Sequence, residues 1–306
     1  MLAYFIRRFL FLVPVLLGVS FLTFGIAKLT PGDPARIMAG TTATQATIDR
    51  LHRQLHLDDP FLVQYGRFLW KAVQGDLGVS YRGQKPVMRS ILTRFPNTLE
   101  LAGAATILAI VVGIPLGMLA ARLRGQFLDN LILVLTTTML SIPIFWLAII
   151  FLYIFGVYLG WISITENIGI KGLILPAICL AIGPTIVLTR LTRASILEVM
   201  KEDYVRTAHS KGLRQRMVMY RHVLRNALIP VVTFLGLLFA DLLGGAVFIE
   251  NVFARSGLGR FMIQSIAARD LPEVTGSVLF LATIYVAMNL LVDFLYAIID
   301  PRIRYT

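Results

Sequence analysis

Asp203-Tyr204-Val205-Arg206-Thr207-Ala208-His209-Ser210-Lys211-Gly212 is a polar island between two hydrophobic stretches, and it runs on through His222, Arg225-Asn226-Ala227 and Pro230. Its punctuation predicts a short helix. Asp203 suits the positive end of a helix dipole, and Gly212 is able to take the left-handed conformation that stops a helix. A second helix follows, with Met217, Tyr220, Leu224 and Leu228 on one face and Arg214, Arg221 and Arg225 on another. A basic loop, which any membrane protein carries, explains the arginines. It does not explain an ordered helix-glycine-helix element running straight into an apolar span at Pro230.

The rest of the chain is built for a bilayer. Its 306 residues are 57% hydrophobic and only 15% charged, against roughly 25% charged for a soluble domain. Apolar runs long enough to span lie at 9–29, 99–121, 131–157, 173–191, 228–249 and 274–298. The first follows Arg7 and Arg8 and lacks a small-residue cleavage site after it, so it reads as a retained helix rather than a signal peptide. Pro14, Gly113, Pro115, Gly117, Pro143, Pro184, Gly236, Gly244 and Gly245 interrupt these runs. Packed membrane helices tolerate such residues, and glycines let backbones approach. The expectation is an all-α integral membrane protein with six transmembrane helices. Cys179, the one cysteine, sits in an apolar run as a small hydrophobe.

Lysine and arginine in the short loops set the orientation. Arg7 and Arg8, Arg122 and Arg124, nine basic residues in the loop of about 189–227, and Arg302 and Arg304 all fall on one side. The opposite short loops hold Lys171, Arg255, Arg260 and Arg269. Both termini are therefore expected in the cytoplasm. The net charge of +12 then faces mostly inward, which removes the need for a nucleic-acid partner. Residues 30–98 are expected outside by connectivity, as an ordered subdomain: a turn at Pro31-Gly32-Asp33-Pro34, a helix over 47–57, an amphipathic helix over 61–73, and a turn into an extended piece at 75–80.

The polar island also carries a resemblance. ABC importer permeases have a cytoplasmic loop with Glu-Ala-Ala, three residues, Gly, nine residues and an Ile-x-Leu-Pro-like end. Arg206-Thr207-Ala208 stands at the triplet, Gly212 at the glycine, and His222-Val223-Leu224 follows nine residues later. With Asn226-Ala227 and Pro230 beyond, this version resembles the peptide/nickel branch of the family (dipeptide, oligopeptide, glutathione, nickel), as a B-type membrane subunit. Thr30-Pro31-Gly32-Asp33-Pro34, Leu57-Asp58-Asp59-Pro60, Gly75-Asp76-Leu77-Gly78, Leu243-Gly244-Gly245-Ala246, Gly257-Leu258-Gly259-Arg260 and Asp300-Pro301-Arg302-Ile303-Arg304 are similar to the same branch. Ser256 and Leu271-Pro272-Glu273 depart from it, in the last outer loop.

The resemblance implies a type I ABC importer permease fold: a first transmembrane helix over 1–29, an extracytoplasmic loop subdomain over 30–98, and a core permease domain over 99–306 with five helices. It implies a bacterial inner-membrane subunit forming half of a path for small peptides, beside a second related permease, two P-loop ATPase subunits and an extracytoplasmic substrate-binding protein. Tyr204, Val205, Thr207, Ala208 and Gly212 would couple to an ATPase subunit. Val205 and Ala208, three apart, would share its apolar contact face. The chain has no Gly-rich phosphate loop ending in Lys-Ser/Thr, so ATP and magnesium belong to the partners, and this subunit is neither an enzyme nor a cofactor carrier. A nickel or metal-chelate importer of the same family is an alternative; an ion-coupled secondary transporter is one of a different class.

Three sets of residues have two readings each. Asp241 lies deep in the fifth span, where a charge lines a water-filled substrate path or bonds a neighbouring helix. Glu250 lines a substrate entrance or pairs with Arg255. His52 and His56, four apart on a helix, either hold a metal or are polar residues of an exposed face; no acid sits between them as a metalloprotease helix requires, and no metal is expected. Asp293, in the last span, reads as structural.

Overall fold

The computed structural model describes residues 2–30, 32–40, 43–161 and 169–299. The Asp300–Arg304 motif and Pro31 lie outside the described residues, as does the side chain of Asp293. Helices account for nearly all of the regular structure: α1 (Leu2–Leu29), α2 (Pro34–Ala39), α3 (Gln45–Leu55), α4 (Phe61–Val73), α5 (Val87–Arg122), α6 (Phe127–Leu140), α7 (Ile144–Phe151), α8 (Gly169–Val199), α9 (Asp203–Ser210), α10 (Gln215–Met217), α11 (Leu224–Val252), α12 (Leu258–Ala268) and α13 (Leu271–Ile299). Wide π-helical turns cover Leu152–Tyr158 after α7 and Val218–Val223 before α11. Among the described residues, β-pairing amounts to one bridge between Val79 and Pro86.

Among the described residues, five helical stretches are long and apolar enough to cross a membrane, and a bent pair makes a sixth if it counts as one span. The span expected over 131–157 is that pair. Phe127–Leu140 and Ile144–Tyr158 meet at 98°. Pro143 causes the break: it has no N–H to bond backward, and its ring drives Ile142 out of helical geometry. Pro14, Pro176, Pro184 and Pro230 are by contrast carried inside continuous helices. The helix expected over 47–57 runs instead from Gln45 to Leu55, closed by His56 in the left-handed conformation at φ 52°.

The chain divides into two compact units. One comprises Met1–Thr98 with Ser256–Leu290, so residues 30–98 share a core with a late segment instead of standing alone. Leu77, Val87, Ile91, Leu258 and Phe261 form that core. Gly276 is required there, because a Cβ on it would lie 2.7 Å from a Val87 methyl. The Asp270 carboxylate, 1% exposed, accepts from Ser80 Oγ at 2.6 Å and from the Arg82 N–H at 3.1 Å. Thr98 Oγ1 accepts from the Leu258 N–H at 2.9 Å. On the α1 side, Tyr65 of α4 bonds Ser20 at 2.8 Å. Asp33 caps α2 and also receives the His52 ring at 3.0 Å.

The second unit comprises Leu99–Arg255 and the chain from Leu291 on. Gly113 and Gly117, one turn apart on α5, let α8 approach to backbone contact. A Cβ on Gly117 would sit 2.6 Å from the Thr189 carbonyl oxygen, and one on Gly113 would sit 2.9 Å from that of Thr185. Thr189 Oγ1 donates to the Gly113 carbonyl at 3.2 Å. This is the small-residue packing of membrane helices, in which close backbones replace the hydrophobic drive of water. Arg193 of α8 grips Asp129 of α6 with two hydrogen bonds, of 2.7 and 2.8 Å.

Candidate functional site

The polar island folds as an ordered helical element on the second unit. Glu202 precedes α9 in extended geometry, and its carbonyl receives the N–H groups of Val205 and Arg206. Lys211 closes the helix, and Gly212 follows at φ 74° with its N–H on the His209 carbonyl at 2.9 Å. The predicted stop is thus where the sequence places it. A Cβ on Gly212 would meet nothing within 4 Å, so backbone conformation alone, not space, demands glycine there.

Val205 and Ala208 do share a face, but it turns inward. They are 2% and 5% exposed and pack with Ala121, Ile196, Val218, Val223 and Ala227 of the same chain. The expectation that these two meet an ATPase subunit directly is therefore corrected: an apolar pair on a helix this short is consumed in holding the helix down. The outward face carries Asp203, Tyr204, Arg206 and Thr207, all exposed.

The register of the second helix also departs from the sequence reading. Met217 and Tyr220 are exposed, while Val218, Val223 and Ala227 are buried. The reason is the π-helical turn over Val218–Val223. It places residues five apart on one face, and a period of 3.6 does not find that. Leu224 is partly buried against the same cluster.

Two hydrogen bonds fasten the element to the long helices. Ser195 Oγ of α8 donates to the Ala227 carbonyl of α11 at 2.8 Å, in a buried position. Asn226 Nδ2 donates to Tyr204 Oη at 2.8 Å on the surface. Tyr204, Arg221, His222, Arg225, Asn226 and Ile229 line a depression of about 580 Å³. Neither the role of Asn226 nor that of Ser195 was signalled by motif spacing.

The remaining candidates belong to other helices. Asp241 is on an exposed face of α11, whereas Glu250 is fully buried. The Arg255 guanidinium bonds the Glu100 carboxylate, and the Arg255 backbone N–H donates to the Glu250 carbonyl at 2.8 Å. His52 bridges Asp33 and Asp58, and His56 ends α3. That arrangement makes His52 a tie between α2 and α3. The Asp33 bond, against the opposing effect of burial, raises the His52 pKa above its usual 6.5. Burial pushes the Asp33 carboxyl up, but bonds from His52 and the Ala35 N–H outweigh it and leave the pKa below 3.8.

Residues 113–305 match the family of binding-protein-dependent transport system inner membrane components, and residues 1–102 match the N-terminal region of such components. A putative peptide transport system permease protein of Brucella abortus is 44% identical over the whole of both chains. A dipeptide transport system permease of Alkalihalophilus pseudofirmus is 40% identical, and a glutathione transport system permease of Pectobacterium atrosepticum 42%, again over the full length of both. Among solved structures, a chain of the inward-facing methionine ABC transporter MetNI matches with a TM-score of 0.54 at 18% identity, over 70% of this chain and 97% of that one. That likeness is one of fold.

Proposed function

The chain belongs to the family of binding-protein-dependent transport system inner membrane components, and on that premise we propose how it couples to its partners and what it carries. It is a multi-pass inner-membrane permease subunit of an ABC importer and not an enzyme; ATP hydrolysis belongs to separate ATPase subunits. A self-sufficient ion-coupled transporter is thereby set aside.

The cargo in this reading is small peptides, in keeping with the peptide, dipeptide and glutathione systems among the relatives. The chain forms half of the path, and a second related permease forms the other half. Two P-loop ATPase subunits, holding ATP and magnesium, dock on the cytoplasmic side with both termini of this chain. A substrate-binding protein delivers cargo on the other side, where residues 30–98 lie. Asp241 faces the path.

Coupling runs through α9. Its outward residues Asp203, Tyr204, Arg206 and Thr207 sit in a groove of an ATPase subunit, and Arg221 and Arg225 receive acidic groups of the same partner. Closure of the ATPases moves α9. The Val205–Ala208 cluster and the Ser195–Ala227 bond pass the motion to α8 and α11, which then shift between two packed arrangements. The observation that carries this reading is the two-sidedness of α9: an apolar face buried against α8 and α11, and a polar face left to solvent. Disulfide or photo-cross-linking from Arg206→Cys in the assembled transporter tests it. A cross-link to an ATPase subunit, changing in yield with ATP, is expected; no ATPase cross-link from either Arg206→Cys or Asp203→Cys overturns it.

A further inference from the structure

Lys28, in the last turn of α1, opens onto a cavity of about 620 Å³ within the first unit. This is well within the size range of small-molecule sites. Phe24, Ala27 and Phe68 supply an apolar floor, and Lys28, Arg67 and Lys71 supply positive charge.

The helix beside it, α4, has three faces. Tyr65 and Phe68 pack on Phe24 of α1, with ring centroids 5.7 and 5.3 Å away, the Phe68 ring stacked and the Tyr65 ring tilted. Gln64, Arg67 and Lys71 turn to the cavity. Leu62, Trp70 and Val73 form an outer apolar face, 71%, 71% and 83% exposed. The α1 residues that α4 touches, Leu17 to Phe24, lie inside the apolar window Leu12–Leu29. So α4 packs on a helix long and apolar enough to cross a membrane, and its outer apolar face suits contact with acyl chains. A tryptophan and lysines near one helix end are the usual anchors at the head-group boundary.

Charge accounting singles out two ammonium groups. Arg67 is held by Asp59 at 2.7 Å. Asp33 is held by His52, and Asp76 accepts from the Gly78 N–H at 2.9 Å. Lys28 and Lys71 have no carboxylate partner among the described residues. Two such cations above an apolar floor, at the end of a membrane span, match an amphiphile with a phosphodiester head. We propose that this cavity binds the head group of an acidic phospholipid, its phosphate against Lys28 and Lys71. A soluble phosphate ester shares the head-group chemistry but makes no use of the apolar floor or of α4's outer face.

The test is lipid retention by the assembled transporter in lipid nanodiscs, read by native mass spectrometry after detergent exchange. Phosphatidylglycerol, phosphatidylcholine and soluble glycerol 3-phosphate are the three probes. Phosphatidylglycerol is expected to be retained over phosphatidylcholine, with at least fivefold loss in Lys28→Gln/Lys71→Gln and recovery in Lys28→Arg/Lys71→Arg. Lys71→Glu, at an exposed position with no folding burden, is expected to lose it too. Equal retention by these loss variants, equal retention of phosphatidylcholine, or displacement by millimolar glycerol 3-phosphate overturns the lipid site.

Discussion

Asn226 of α11 donates its side-chain amide to the phenol oxygen of Tyr204 on α9, across 2.8 Å and 22 residues of chain. The bond joins the outward face of the short helix to the base of a membrane span, and both partners are exposed. An exposed neutral hydrogen bond contributes about 0.5–1.5 kcal/mol at most. Tyr204→Phe is therefore expected to leave thermal stability within about 1 kcal/mol of the parent while lowering transport per ATP hydrolysed. Transport and ATPase rates measured together in proteoliposomes check it; an unchanged ratio removes the bond from the coupling route.

At Gly212 the backbone and the available space make separable demands. Its φ of 74° disfavours a β-branched residue, but no neighbour would touch an added Cβ. Gly212→Val is expected to cost more than about 1–2 kcal/mol, misdirect the next helix and abolish stimulated ATP hydrolysis. Gly212→Asn, which visits the left-handed region readily, is expected to keep most activity. Equal loss in both variants means that something other than backbone conformation selects glycine.

Ala208→Asp places a carboxylate in the apolar cluster of Val205, Val218 and Val223. Burying an unpaired charge costs several kcal/mol, so α9 is expected to detach locally. Membrane insertion survives, and co-purification of ATPase subunits fails. A protease accessibility assay on the 199–217 segment distinguishes this from global unfolding, because only cleavage in that segment increases.

Helix packing in the second unit gives a control pair. Gly117→Ala introduces a Cβ at 2.6 Å from the Thr189 oxygen, whereas Gly103→Ala on the same helix meets nothing within 4 Å. Overpacking costs about 1–3 kcal/mol, so Gly117→Ala is expected to lower the unfolding temperature in detergent by several degrees. Gly103→Ala is expected to be neutral or slightly stabilising.

The Asp33–His52 tie depends on pH in a definite direction. His52 titrates above 6.5 when folded, so its contribution is full below 6.5 and is lost as pH rises through the folded value. Asp33 titrates below 3.8, so its contribution is present above 3.8 and is lost only as pH falls through the folded value. The tie is strongest between about 4 and 6.5. Hydrogen exchange in α2 and α3 is expected to quicken, beyond the intrinsic base-catalysed rise, from pH 6 to 8.5; His52→Gln removes that excess.

The spans, α4 and the short helix Asp203–Ser210 with its glycine stop were legible because each announces itself locally: apolar length, a helical stripe from Phe61 to Val73, or an acid at one end and a glycine at the other. What stayed hidden depends on geometry between elements. The π-helical turn at Val218–Val223 changes the helical period, so the buried face could not be counted off from Met217. Whether Val205 and Ala208 face a partner or their own chain depends on Ile196 and Ala227, which no spacing rule brings beside them. Pro143 was visible, but proline bends some membrane helices and is absorbed by others, as at Pro184, and only the neighbours decide which.

The bond between Ser80 and Asp270 closes a loop of 190 residues. During synthesis at about 5–20 residues per second, Ser80 leaves the ribosome on the order of ten to forty seconds before its acceptor does. Leu77, Val87 and Ile91 wait equally long for Leu258 and Phe261. The first unit therefore remains an open, incompletely packed intermediate until nearly the whole polypeptide has been made. A chain truncated before residue 256 would insert several helices yet never close this core. It would present a cell's membrane quality-control proteases with a substrate that looks finished at one end and unfinished at the other.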